Sequence, residues 1–478
     1  MTRFRHANVT VEDIEDLVAD LQLERAGLAG RDPEPAAARA ARFRDEAAFL
    51  GLSRLVAELT GATGTTGVSG ATGAEGGAYA AGAPAYDAAD EDARRAAYRT
   101  LLAAERAGAD ELWRSLSAGR VTGRGTDRGD ACSGPVLPPL PGAYRQNTAS
   151  AAAAAVRDLG PIARGWARAA GLRQDAGTEP YNWPWLRTGR GLVTGPAAVA
   201  LPRHDELLSA LVERLRGYGL LPAAHRMRLV PAGESGVRAT PVRLPGLSLL
   251  GVEPEVVPAT FERLPHALGH VAEHAARPSG GRLAERWELC PLRSEGWALL
   301  VGRLTQSPAF LMGLGLEERD ARAVARFLVT GERFDRGLLA ADLVLAEWLA
   351  ECRDAAGALA AAAEVGAWTG LGRAPELWLR RQTGVAAARR RFEGYAWRDA
   401  ALAQLTAAHG ADWTERDGAW EALTGALSGT ESAVDFLAAL RGTPPRGTVP
   451  ARGSGPTGGS GQERGSGQER RLMVAAAA

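Results

Sequence analysis

Leu264-Pro265-His266-Ala267-Leu268-Gly269-His270-Val271-Ala272-Glu273-His274 is the stretch on which the reading of this chain turns. His266 and His270 are four residues apart, so an α-helix places both imidazoles on one face, one turn apart. Two nitrogens so placed can meet one metal ion at about 2.0–2.1 Å each. Leu264, Leu268, Val271 and Ala275 fall largely on the other faces. The helix is therefore expected to be buried on most sides, with one polar stripe that Glu262 and His274 extend. Arg293-Ser294-Glu295-Gly296-Trp297-Ala298-Leu299-Leu300 follows, with Glu295 25 residues beyond His270. Ser294 is expected to cap a helix starting there. That helix, packed on the first, would aim Glu295 at the histidine pair. Two imidazoles and a carboxylate leave one coordination position for water, the arrangement of a catalytic zinc site. The structural alternative for the same residues is a satisfied polar network, with His266 and His270 hydrogen-bonding Glu295 inside a helical core.

Outward from this stretch the pattern is mostly helical. Apolar spacing predicts helices over 11–28, 36–59, 87–117, 148–171 and 204–218, and almost continuously from 260 to 440. Short β-branched or leucine-rich runs at 227–230, 237–244 and 247–252, with Pro and Gly between them, predict a small hairpin or three-stranded sheet just before the motif helix. Residues 119–146 lack periodicity and carry a proline-rich run, which reads as loop. The expected organisation is N-terminal helices over 1–60, a flexible Gly-rich linker over 61–84, and a helical region with short strands over 85–257. A helical domain over 258–440 and a disordered tail over 441–478 complete it. The tail repeats GSGQER at 459–464 and 465–470. The fold class is mainly α: an elongated helical body with a central cleft and a small sheet ahead of the metal-motif helix.

Composition narrows the function. The chain has 478 residues, 46% hydrophobic and 23% charged, enough to bury a core. Lys+Arg and Asp+Glu are both 56, a zero net charge that argues against a nucleic-acid binder. Every basic side chain apart from histidine is Arg, so the runs Arg380-Arg381 and Arg389-Arg390-Arg391 read as a solvated helix face. Three scattered cysteines give no disulfide framework. No signal-like N-terminus and no long uncharged apolar run are present, so a soluble cytoplasmic protein without a membrane span is expected. Phosphate-loop, Rossmann and nucleophile-elbow motifs are absent.

The HxxGH pair followed by a Glu-bearing helix resembles the gluzincin metallopeptidases, especially the thimet-oligopeptidase and carboxypeptidase Taq families. The wording EGWAL (295–299) is also similar to a large bacterial family of helical proteins with a peptidase-like zinc motif. Glu364-Val365, Trp368, Pro375, Gly384 and the segment 392–410 fit the later pattern of that family. The resemblance covers about a third of the chain, from Pro258 to Gly410. It implies a metallopeptidase-like helical body with His266, His270 and Glu295 as ligands of zinc or another divalent metal. It also implies a peptide or small-molecule substrate lying in a cleft across the metal helix, and Tyr395 as the tyrosine that stabilises an oxyanion.

One position departs from the family motif HExGH. Its Glu, the general base that activates metal-bound water, is here Ala267, which takes no proton. Glu273 and Glu262, one turn to either side of the histidine pair, are the candidate replacements, each approaching from another direction. Two classes stay open. One is a metal-dependent enzyme, hydrolytic or repurposed for a small molecule. The other is a non-catalytic pseudo-peptidase acting as a binding or scaffold protein.

Overall fold

The computed structural model describes residues 11–25, 90–126, 142–196, 198–232, 236–277, 287, 291–429 and 433–440. The expected helix at 36–59, the Gly-rich stretch 61–84 and the tail 441–478 lie outside them. Helices α1 (Val11–Arg25), α2 (Glu91–Thr126), α3 (Gly142–Ala169), α4 (Trp183–Thr188), α5 (Arg190–Thr194) and α6 (His204–Gly217) precede the strands. These are β1 (Arg226–Pro231), β2 (Ala239–Arg243) and β3 (Leu247–Val252). Beyond them come α7 (Thr260–Ala275), α8 (Pro291–Arg303), α9 (Pro308–Met312), α10 (Glu318–Leu349), α11 (Ala355–Thr369), α12 (Pro375–Arg381), α13 (Val385–His409), α14 (Asp417–Gly429) and α15 (Ala433–Leu440). The protein is thus mainly α, with a small sheet ahead of the helices that carry the histidines and Glu295. No helix among the described residues is long and apolar enough to cross a membrane.

The expected loop at 119–146 is helical at both ends, since α2 runs to Thr126 and α3 starts at Gly142. The alanine-rich stretch 149–155 favours helix strongly, and extending a helix already nucleated costs little. Residues 127–141 lie outside the described set.

The strands form one sheet in the order β1-β3-β2. β3 runs antiparallel to β2, as a hairpin partner should, and parallel to β1. Its central position explains why Ser248, Leu249 and Leu250 are buried while β1 is mostly exposed. Pro241 cannot donate to a ladder, and it sits on the edge strand beside a register irregularity at Pro241/Arg243. The sheet packs on the α7 helix, and Ser248 reaches that helix through His274.

Helix α7 packs on α8, and α8 packs in turn on α13. Gly269 makes the first approach possible. A Cβ there would lie 2.8 Å from the Ala298 Cα, and the bare backbone instead accepts a hydrogen bond from Trp297 Nε1 at 2.9 Å. A glycine inside a helix costs about 1 kcal/mol relative to alanine, which close packing of two backbones offsets. Trp297, Trp287, Trp397 and Tyr395, expected in the core, are all buried. Of the arginine runs, Arg380 and Arg389 are exposed as expected. Arg381 is not: it is buried and pairs with Asp342, with Nε 2.7 Å from a carboxylate oxygen. A guanidinium can sit inside when a carboxylate matches its fork.

Candidate metal centre

Fourteen of the sixteen residues of α7 are buried, from Thr260 through His274, Arg263 being the one partly exposed residue within that run. The helix is held by apolar contacts on most of its circumference, which fixes the backbone that carries the imidazoles. Helix α8 begins at Pro291, a residue suited to a first helical turn. Ser294 is therefore inside the helix and not its cap. Its hydroxyl instead meets His270 Nδ1 at 3.0 Å.

The structure brings His266, His270 and Glu295 together. One ligand-capable atom from each lies within 4.8 Å of the others, and all three residues are buried. His266 Nε2 is 3.7 Å from one Glu295 oxygen, and His270 Nε2 is 3.8 Å from the other. Contacts at these lengths are not hydrogen bonds. Neither ring nitrogen of His266 has a hydrogen-bond partner among the described residues, and the same is true of His270 Nε2. The satisfied polar network considered from sequence is therefore not what these residues form. Two ligands on one tetrahedral ion, each about 2.05 Å away, stand roughly 3.4 Å apart, so atoms now within 4.8 Å of one another would have to draw inward. The cluster can hold a metal ion.

The electrostatics suit the same purpose. Burial, followed by the charges of His270 and Arg391, holds His266 well below the ordinary imidazole range. Burial likewise brings His270 down to about 4, with Glu273 opposing and Arg391 assisting. Both rings are neutral at neutral pH, the form that ligates metal. The tautomer that donates Nδ1–H to Ser294 leaves the Nε2 lone pair of His270 facing Glu295.

The remaining sequence candidates are placed as follows. Glu262 is bonded by Arg187 at 2.8 Å and lies 3.8 Å from Arg391. Glu273 is fully buried and paired with Arg293 at 2.9 Å and Arg277 at 3.6 Å. Both carboxylates are thus taken up by guanidinium partners. Ala267 sits in the apolar core, 1% exposed. Tyr395 is buried on α13, and its hydroxyl has no partner among the described residues. Burial pushes its phenol up most, Arg391 pulls it down, and Glu262, Asp335 and Glu332 push it up. The next residue back, Gly394, lets α13 lie against the centre: a Cβ there would be 3.0 Å from Glu295 Cγ.

Sequence reasoning missed Arg391 and Arg187. Arg391 was assigned to a solvated face, yet its side chain is only 13% exposed and lies 3.8 Å from both Glu295 and Glu262. Arg187 comes from α4, far from the motif in sequence, and no local pattern marks it. No protein-family model matches this chain, and no curated protein matches it either.

Proposed function

We propose that this protein binds one divalent metal ion, zinc by the chemistry of the donors, through His266 Nε2, His270 Nε2 and a Glu295 oxygen. The observation that carries this reading is the separation of 3.7 and 3.8 Å between the imidazole nitrogens and the carboxylate oxygens, combined with buried nitrogens that have no other partner among the described residues. A His₂Glu set is a three-ligand zinc set with one position open. Bound there, zinc supplies a Lewis acid and lowers the pKa of a coordinated water. The protein's own residues surround the ligands. Ser294 orients His270, Arg391 stands beside Glu295, and Tyr395 offers a buried hydroxyl from α13.

Peptide hydrolysis by the gluzincin route is not the reading we favour. Ala267 supplies no base, and Glu262 and Glu273, the proposed substitutes, are both held by arginines. The centre fits polarisation of a bound peptide or small-molecule substrate in a metallopeptidase-like helical scaffold that has lost the peptidase's water-activating carboxylate. The test is elemental analysis of purified protein by inductively coupled plasma mass spectrometry. One ion per chain is expected, lost in His270→Ala and in Glu295→Gln. A metal-free protein that takes up no added zinc while keeping its helical circular dichroism would defeat this reading in favour of a non-catalytic scaffold.

A further inference from the structure

Two buried donors beside the histidine–glutamate cluster have no hydrogen-bond partner among the described residues. Arg187 gives Nε to Asp335 at 2.7 Å and Nη2 to Glu262 at 2.8 Å and to Asp335. Its Nη1 is buried without a hydrogen-bond partner among the described residues. The Tyr395 hydroxyl is in the same condition, on a residue 2% exposed. The two belong to one neighbourhood. Arg336, the chain neighbour of Asp335, stands over the Tyr395 ring at 4.6 Å, and Gly394, the chain neighbour of Tyr395, lies against Glu295 Cγ. Arg391 links Glu262 to Glu295 and so to the histidine pair. Folded proteins rarely leave buried donors unsatisfied, and those that persist mark functional positions or an absent occupant.

The charges say what kind of occupant fits. The guanidiniums of Arg187 and Arg391 face the carboxylates of Glu262, Asp335 and Glu295, and Arg336 and Arg398, over the Tyr395 ring, share Glu332, so these charges balance. A divalent cation at the cluster would leave them positive in excess. Arginine offers its fork to planar oxygen acceptors, and a phenol hydroxyl adds a further donor.

We propose that Arg187 Nη1 and Tyr395 Oη form an anion-binding position next to the metal, which receives an oxygen of a carboxylate or phosphate group carried by the substrate. The proposal rests on the metal-binding reading and adds the substrate class to it. Substrates are small anionic molecules or peptides that present such a group, and Arg187 and Tyr395 are the residues that select them.

Isothermal titration of the zinc-loaded protein with inorganic phosphate and, separately, with acetate tests this. One of the two is expected to bind at a ratio of 1:1, and which one does so separates a phosphate from a carboxylate. Tyr395→Phe removes only the hydroxyl, and is expected to weaken that binding about tenfold or more while zinc content stays unchanged. Arg187→Met is expected to weaken it further. It also strips Asp335 and Glu262 of their partner and can unfold the chain, so Tyr395→Phe is the deciding variant. Binding of neither anion to the loaded wild type, or equal binding by Tyr395→Phe and wild type, overturns the proposal. If the protein takes up no zinc, the metal reading fails by itself. The anion position is then judged by the same titrations on the metal-free protein: binding that depends on Tyr395 supports it, and no binding overturns it.

Discussion

Helix α7 presents its histidines to two different neighbours, and they are treated in opposite ways. At its C-terminal end His274 belongs to a closed hydrogen-bond chain that ties the helix to the sheet. The Pro245 carbonyl can only accept, so His225 Nδ1–H donates to it and leaves Nε2 as an acceptor. Ser248 Oγ–H then donates to His225 Nε2 at 3.1 Å, and the same oxygen accepts from His274 Nδ1–H at 3.0 Å. Earlier on the helix, His266 and His270 leave three ring nitrogens without any partner among the described residues, the two Nε2 atoms at 3.7 and 3.8 Å from a carboxylate. Both groups are buried, and burial lowers the imidazole pKa in both. Burial of a histidine therefore does not mark a binding site. What separates the two is whether the protein itself completes the hydrogen bonds.

The largest expected effect breaks the symmetry between His270 and His274. Replacing a ligand with alanine should reduce zinc affinity at least about 100-fold, more than loss of a supporting residue does. His274→Ala should leave zinc stoichiometry unchanged and lower stability instead. Competition against a chromophoric chelator reads both variants. Equal loss of zinc in the two would place His274 among the ligands and erase the contrast.

Ser248→Ala probes the closed chain next. It leaves both His225 Nε2 and His274 Nδ1 buried without their partner, at a cost of about 1–3 kcal/mol in unfolding free energy. Urea denaturation of metal-free protein measures it. An unchanged midpoint would mean that the chain contributes no stability. Ser294→Ala is its counterpart at the other group, because this hydroxyl fixes the ring of His270. Here zinc affinity should fall about tenfold while the unfolding midpoint moves little. The reverse outcome, lost stability with full zinc affinity, would make Ser294 a packing residue.

The same contrast shows what could be read from the sequence. Spacing of four along an apolar helix was enough to pair His266 with His270, and the position of Glu295 soon after was enough to predict its approach. The first is a short-range periodicity that α7 obeys; the second depends on α8 packing against α7 as expected. The strands at 226–252 were legible for the same reason, though not the parallel pairing of β1 with β3, which depends on a register that no local pattern records. Arg391 was misread because an arginine run looks solvated until tertiary packing turns one member toward two carboxylates. Arg187 and the His225–Ser248–His274 chain join residues 20 to 148 positions apart. Such pairings carry no periodic signature.

The smallest effect concerns acidity, and it sharpens the comparison from the satisfied side. Burial lowers the pKa of His225, against an opposing hydrogen bond to Pro245. Burial also lowers that of His274, assisted by the charges of His270, His225 and Arg277. Unfolded, each ring takes a proton near pH 6.5. Between that value and the lower folded one, the unfolded chain holds more protons, so stability rises with pH across the interval. The contribution is complete above about pH 6.5 and is lost as the pH falls through the folded pKa. In EDTA, where no metal competes, the urea midpoint should therefore be lower at pH 5.5 than at pH 8. His266 and His270 add to that slope, so the wild type alone does not isolate the chain. His274→Gln does, because a glutamine neither titrates nor loses the ability to donate to Ser248. Its midpoint should fall less between the two pH values than that of the wild type. Equal falls would mean that the protons are taken up elsewhere, and the closed chain would then be a support for the helix with no part in its acid response.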